Sequence, residues 1–158
     1  MKQHFEISQI IDASLKKQIT ETILRTLPQW FGVDESLVEY INTVGEYPFF
    51  AAFDGDNCVG FFCGKIHHNI NGDIYVCGVH PDFHGFGIGT QLCHALEKYF
   101  IDFGCEYIMV KTLSPLRMSN HYEATRKFYH AVGFKDFYTN HEIWGEDNPC
   151  LIMVKNLT

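Results

Sequence analysis

Three glycines at alternate positions, Gly85, Gly87 and Gly89, separate the apolar run IYVCGV from an amphipathic helical pattern. No other feature constrains the chain as tightly. Glycine opens backbone conformations closed to other residues and lets a ligand approach the main chain. A strand running through such a loop into a helix start leaves several N–H groups unpaired, and the helix dipole adds positive potential there. The join suits a phosphate or pyrophosphate; a plain glycine turn is the bland alternative. Two well-known glycine loops do not fit. The P-loop needs Lys followed by Ser or Thr after its last glycine, and Thr90-Gln91 follow here. The dinucleotide fingerprint needs its third glycine where this chain has Thr90 or Leu92. A nucleotide-binding regulator is disfavoured on those grounds.

With 158 residues the chain is long enough for one domain with its own core, taken as residues 1–158. Hydrophobic residues make up 46% and charged ones 20%, which argues against disorder. A net charge of −7 disfavours nucleic acid and anionic membrane as partners and mildly favours a cationic one. The six cysteines show no C-x-x-C spacing and lie mostly in apolar runs or on a helix, so we expect reduced thiols and no metal site. No signal-peptide pattern or membrane-length apolar run is present, and a cytoplasmic location is expected.

Taken in order, the pattern predicts a strand over residues 4–10, then a helix behind Asp12 or Ser14 with Leu15, Ile19, Ile23, Leu24 and Leu27 inward, ended by Pro28 and Gly32. Trp30 and Phe31 form an aromatic elbow. A second helix behind Asp34 points Leu37, Val38, Ile41 and Val44 inward. Strands over 49–53 and 58–66 flank the hairpin turn Asp54-Gly55-Asp56-Asn57. His67 and His68 fall in the next turn and read as surface residues. A fourth strand, 73–79, leads to the glycine loop and a helix burying Ile88, Leu92, Leu96, Tyr99, Phe100 and Phe103, stopped by Gly104. A strand over 107–112, a helix over 120–132 closed by Gly133, and strands over 134–139 and 150–155 complete the chain. The order is α+β, a mixed and largely antiparallel seven-stranded sheet with about four helices and one parallel crossover between strands four and five.

Two motifs carry a resemblance. Residues 84–90 fit Q/R-x-x-G-x-G/A with His84 in the first place and Gly87 and Gly89 in the last two. The stretch YEATRKFYHAVGF, residues 122–134, matches A-x-x-F-Y-x-x-x-G-F at Phe128, Tyr129, Gly133 and Phe134. In their order and spacing these motifs resemble the GNAT (Gcn5-related N-acetyltransferase) superfamily, over nearly the whole chain. His84 replaces the usual Gln or Arg, Phe86 a common basic residue, Thr125 an Ala, and Tyr122 an Asn that often meets the pantetheine arm. The pieces WFG, VKT, YHAVGF and WGEDNPCLIMVK are similar to a bacterial subgroup of unassigned substrate.

The resemblance implies a GNAT fold splayed between strands four and five, and direct transfer of an acetyl group from acetyl-CoA to a primary amine in a ternary complex. It places acetyl-CoA against Cys77, Gly78, Val79, His84, Gly85, Phe86, Gly87, Ile88, Gly89, Thr90 and Tyr129. Tyr129 is the expected general acid for the leaving thiolate, and a backbone N–H among Cys77, Gly78 and Val79 is expected to meet the oxyanion. Asp73 stands eleven residues before His84, the place of the catalytic Glu in the histone-acetylating branch, and is the expected base; being one methylene shorter than Glu, it would need a relaying water. Its plain reading is a turn residue after Asn71-Gly72. Cys77 as a nucleophile is less favoured than as a thiol at the cofactor's edge, and Lys111 reads equally as a pantetheine or acceptor contact and as a solvated strand end. The acceptor region of such a fold holds Trp30, Phe31, Asp34, Glu35, Tyr138, His141, Glu142, Trp144 and Glu146 here, a mixture suited to a cationic amine. A homodimer is compatible with the resemblance. The competing class is a non-catalytic acyl-CoA-binding sensor.

Overall fold

The computed structural model describes residues 4–158. In chain order the elements are β1 (Glu6–Gln9), α1 (Ala13–Leu24), α2 (Asp34–Thr43), β2 (Phe49–Asp54), β3 (Asn57–His67), β4 (Asn71–Val79), α3 (Ile88–Phe103), β5 (Tyr107–Leu113), α4 (Asn120–Ala131), β6 (Lys135–Asn140) and β7 (Cys150–Asn156). The strands form one sheet in the order β1-β2-β3-β4-β5-β7-β6. β1 with β2, β2 with β3, β5 with β7 and β6 with β7 are antiparallel. β4 and β5 are parallel, pairing Asn71–Ile74 with Tyr107–Val110, and α3 is the crossover that a parallel pair requires. The pairing stops at Ile74 while β4 continues to Val79, which is the expected splay.

Two units are distinguished. The first takes the chain up to Lys65 together with Tyr75–Tyr99. Here Asp12 caps α1 by accepting from Leu15 N at 3.1 Å. Ile19, Ile23 and Leu24 form the buried stripe, whereas Leu15 is exposed, contrary to expectation. The helix stops at Leu24 rather than at Pro28, because Thr26 N and Leu27 N turn back to the carbonyls of Ile23 and Leu24, tightening the end. Leu27 is still buried, from the turn. Asp34 opens α2 from inside its first turn, where its charge and that of Glu35 complement the dipole; Val33 holds the cap position. Leu37 and Val44 are buried but Val38 is not, since 100° per residue carries it off the inward face. The β2–β3 hairpin closes through Gly55-Asp56, with Gly55 at φ 62° supplying the left-handed residue that a two-residue turn needs. Phe49 and Phe61 stack beneath it, centroids 5.0 Å apart.

The second unit joins Ile66–Ile74 to Phe100–Thr158. Gly104, at φ 109°, ends α3 by donating to the Phe100 carbonyl at 3.1 Å, as the sequence predicts, but Phe103 is 52% exposed because the buried stripe of α3 runs Ile88, Leu92, Leu96, Phe100. Ser119 caps α4, and Arg126 on its buried face donates to the Leu113 carbonyl at 2.6 Å, fixing the helix to the end of β5. Gly133 stops α4 at φ 104°. β6 is an edge strand, and Phe137 on it is 66% exposed.

Candidate active site

The glycine loop lies wholly in the first unit. His80 N bonds the Val59 carbonyl at 2.8 Å as β4 ends, and a single turn, Pro81–Phe83, leads into the loop. Gly85 and Gly87 have φ of 86° and 80°, and a β-carbon added to either meets no heavy atom within 4 Å. Glycine is therefore demanded by backbone conformation and not by crowding, and the first residues of α3 present their N–H groups along an open main chain. Ile88, 1% exposed, anchors the start of the helix in the core. His84 closes the loop: its Nε2 donates to the Val79 carbonyl at 2.7 Å, and the Trp30 ring stands edge-on 6.3 Å away. Phe86 is half-exposed, edge-on to Phe5. With His84 tied to the main chain and Phe86 apolar, the loop's fit to a pyrophosphate rests on backbone N–H groups.

Cys77 is a half-buried thiol on β4. Gly78 has a packing reason the sequence did not reveal: a β-carbon there would lie 2.8 Å from Leu27 Cδ1 and 3.2 Å from Ile23 Cγ2, so it lets β4 pass close under α1. Also in this unit, Lys65 Nζ lies 3.9 Å from the Tyr75 ring centroid and 4.8 Å from that of Tyr47. Tyr40 packs on Tyr75 at 5.2 Å, and Thr43 shares a 2.7 Å hydrogen bond with the Tyr75 hydroxyl. This aromatic group already accepts a cation, and no spacing in the sequence announced it. Of the expected acceptor residues, Trp30 and Phe31 pack against this unit's core, and Asp34 lies 3.7 Å from Arg25.

The second unit holds the candidate acid and base. Tyr129 is 4% exposed on α4, its ring edge-on to Phe134 at 5.6 Å. Asp73 is not a turn residue: it lies inside β4 and is 3% exposed. Its Oδ2 accepts from His67 Nε2 at 2.8 Å and lies 3.6 Å from Lys111 Nζ. Lys111 is thus the carboxylate's counter-charge, and His67, read from sequence as a surface residue, is its hydrogen-bond partner. The available signal was the β3–β4 hairpin, whose two arms carry the pair. Tyr122 is half-buried; burial pushes its phenol up from the usual value, and nearby Arg117 pulls it back. Tyr138 lies on β6, and His141, Glu142, Trp144 and Glu146 on the connection to β7. His141 and Glu146 line an open depression of about 560 Å³ together with Leu116, Arg117, Asp147 and Pro149.

Among the described residues no group of His, Cys, Asp and Glu side chains is arranged to hold a metal ion, and no helix is long and apolar enough to cross a membrane. Residues 17–134 match the model of the Acetyltransferase (GNAT) family. An uncharacterized N-acetyltransferase of Methanocaldococcus jannaschii is 30% identical over 112 residues, 69% of this chain and 67% of that protein. Among solved structures, a putative GNAT acetyltransferase from Desulfovibrio desulfuricans superposes with a TM-score of 0.79 at 16% identity, over 98% of this chain and all of that one (100%). An aminoglycoside 6'-N-acetyltransferase complexed with coenzyme A gives a TM-score of 0.77 at 23% identity, over 97% of both chains. With the family motifs placed on β4–α3 and α4, the chain belongs to the GNAT acetyltransferase family.

Proposed function

We propose that this protein is an N-acetyltransferase that moves an acetyl group from acetyl-CoA to a primary amine by direct transfer in a ternary complex. The observation that carries the reading is the run of β4 through two positive-φ glycines into the start of α3, in a chain of this family. Backbone N–H groups along residues 84–90 bind the pyrophosphate, with Gly85, Gly87 and Gly89 giving the chain its course and His84 bracing it through Val79. Cys77, Gly78 and Val79 flank the thioester, and one of their N–H groups stabilises the oxyanion. Tyr129 protonates the leaving thiolate. Asp73 drives removal of the acceptor's proton through an intermediary, since the carboxylate itself is buried.

Deprotonation is the demanding step, because an alkylammonium has a pKa of roughly 10.4 against about 8.5 for a thiol. The acceptor is proposed to be cationic. In support, the net charge is −7, and the Tyr47 and Tyr75 rings already hold the Lys65 ammonium. We place the protein in the cytoplasm, a reading supported by six cysteines that form no disulfide, and take residues 1–158 as a single functional domain. The family's activity leaves the non-catalytic sensor unfavoured. Thiol release from acetyl-CoA, screened over polyamines, aminoglycosides and peptides with free N-termini, tests the reading. Amine-dependent release supports it; tight acetyl-CoA binding with no release across the panel identifies a sensor. Sedimentation of the same preparation tests the homodimer.

A further inference from the structure

At the β3–β4 hairpin a buried carboxylate holds a half-exposed imidazole. Asp73 is 3% exposed, whereas the His67 side chain is 44% exposed, and Nε2 of the ring lies 2.8 Å from Asp73 Oδ2. An ionised carboxylate only accepts hydrogen bonds, so Nε2 carries the hydrogen and the lone pair of the neutral ring lies on Nδ1. The backbone fixes this placement at some cost. Ile70 N bonds the His67 carbonyl at 3.2 Å, and the two residues between them, His68 and Asn69, have φ of 55° and 60°. Two left-handed central residues make the tight type I′ turn. Each non-glycine residue held there costs about 1–2 kcal/mol, a strain that persists only where the surrounding structure enforces it. The charged groups facing the ring are Asp73 from β4 and, behind the same carboxylate oxygen, Lys111 from β5 at 3.6 Å; on its own strand and turn Lys65 and His68 are the titratable neighbours in sequence.

We propose that His67 is the catalytic group that takes the acceptor's proton, with Asp73 as its positioning residue and Lys111 as the carboxylate's counter-charge. The imidazole takes the part that the sequence reading gave to a relaying water. The proposal rests on the acetyl-transfer reading and names the proton path of that site. The acceptor ammonium gives one proton to His67 Nδ1, and Nε2–H stays on Asp73. The neutral amine then attacks the thioester carbon: the C–N bond forms, the C–S bond breaks, the thiolate takes one proton, and the adduct nitrogen loses its second. One proton in sum passes from the exposed imidazolium to solvent. Asp73 is buried and its Oδ2 is already engaged by His67 and Lys111, whereas the half-exposed imidazole is open to an acceptor.

The test uses acetyl-CoA with the amine of the panel that gives the fastest thiol release. His67→Ala and His67→Gln should each lower kcat by about 10²–10⁴-fold, the usual worth of a general base, with acetyl-CoA affinity unchanged. Free imidazole in the buffer should restore part of the His67→Ala rate and leave wild type unchanged. Asp73→Asn should lower kcat as well, because the amide can donate to Nε2 and turn the ring to the wrong tautomer. Wild-type kcat in His67→Ala, or no rescue of that variant by free imidazole, would overturn the proposal and leave acetyl transfer standing. A wild-type protein that binds acetyl-CoA and releases no thiol would overturn both.

Discussion

Gly72 on β4 lies against the ring of Phe100 so closely that a β-carbon there would come within 2.6 Å of the ring's Cγ and Cε2. Phe100 is fully buried in the last turn of α3, so the ring has no free path away. Gly72→Ala should destabilise the fold by about 1–3 kcal/mol, the range for overpacking a filled core. In a chain of this size each kcal/mol lowers Tm by roughly 2–4 °C. Phe100→Leu in the same background should recover part of the loss. Additive losses in the denaturant melts of the double variant would show that the two residues do not compete for one space.

The glycine loop predicts a separation of binding from packing. A valine at Gly87 touches nothing within 4 Å, so its penalty comes from the φ of 80°, where a β-branched residue is strained. Gly87→Val should shift the loop's N–H groups and weaken acetyl-CoA binding by more than tenfold in calorimetry. Gly104→Ala carries a similar backbone strain at φ 109° with open space around it, at the far end of α3. It should lower stability with little effect on affinity. Equal affinities for the two variants would remove the loop from the pyrophosphate site.

Cys63 ties stability to alkaline pH. Burial pushes its thiol up to about 12 from 9.0, Lys16 and Lys65 pull it down in part, and Cys77 adds to the rise. A group raised in the folded state contributes stability that is complete below the unfolded value and lost as pH climbs to the folded one. The window is therefore about pH 9 to 12 for this thiol. Denaturant melts should show stability falling across the accessible part of that window, and Cys63→Ala should fall less steeply. Parallel slopes for the two proteins would show that the thiol is not responsible.

Much of the loop was legible in sequence because its demands are local. Gly85 and Gly87 take the positive φ that glycine permits, while Gly89 already lies in α3, and the spacing 88, 92, 96, 100 implies one buried stripe whatever the rest of the chain does. Where periodicity meets an element's end it misleads. Phe103 continues the pattern of α3 yet lies outside, and Leu15 and Val38 sit at the edges of their stripes. The His67–Asp73 pair was illegible for a different reason. Reading β3 to end at Ile66 and β4 to start at Asp73 left His67 in a loose turn. In the fold the strands extend to His67 and from Asn71, and the turn shrinks onto His68, Asn69 and Ile70, the first two of them left-handed. Neither residue announces a left-handed conformation as glycine would, so only the completed hairpin fixes which side chains meet.

That turn makes a prediction of its own. His68→Asn together with Asn69→Gly installs the residue pair that a type I′ turn prefers. Relief of the left-handed strain should raise stability by roughly 1 kcal/mol, after allowing for the added freedom of glycine in the unfolded chain. A thermal melt no higher than that of wild type would mean that other contacts of these two residues offset the strain.

Tyr129 carries the remaining chemical expectation. It lies on α4 four residues before Gly133, its ring 4% exposed and edge-on to Phe134, and its own carbonyl accepts from Phe134 N at 2.9 Å. Backbone and ring are therefore held independently of the hydroxyl, and Tyr129→Phe keeps both. A thiolate leaving into a water-poor site needs a proton or a hydrogen bond, and a phenol can supply either. Turnover should fall by about 10²–10⁴-fold, while acetyl-CoA affinity stays within a small factor of wild type. Stability should change by no more than the net worth of one hydrogen bond, about 1 kcal/mol. Single-turnover rapid quench isolates the chemical step, so slow product release cannot mask the loss. A wild-type chemical rate in Tyr129→Phe would assign the proton to water or another group and leave the tyrosine as packing beside Phe134.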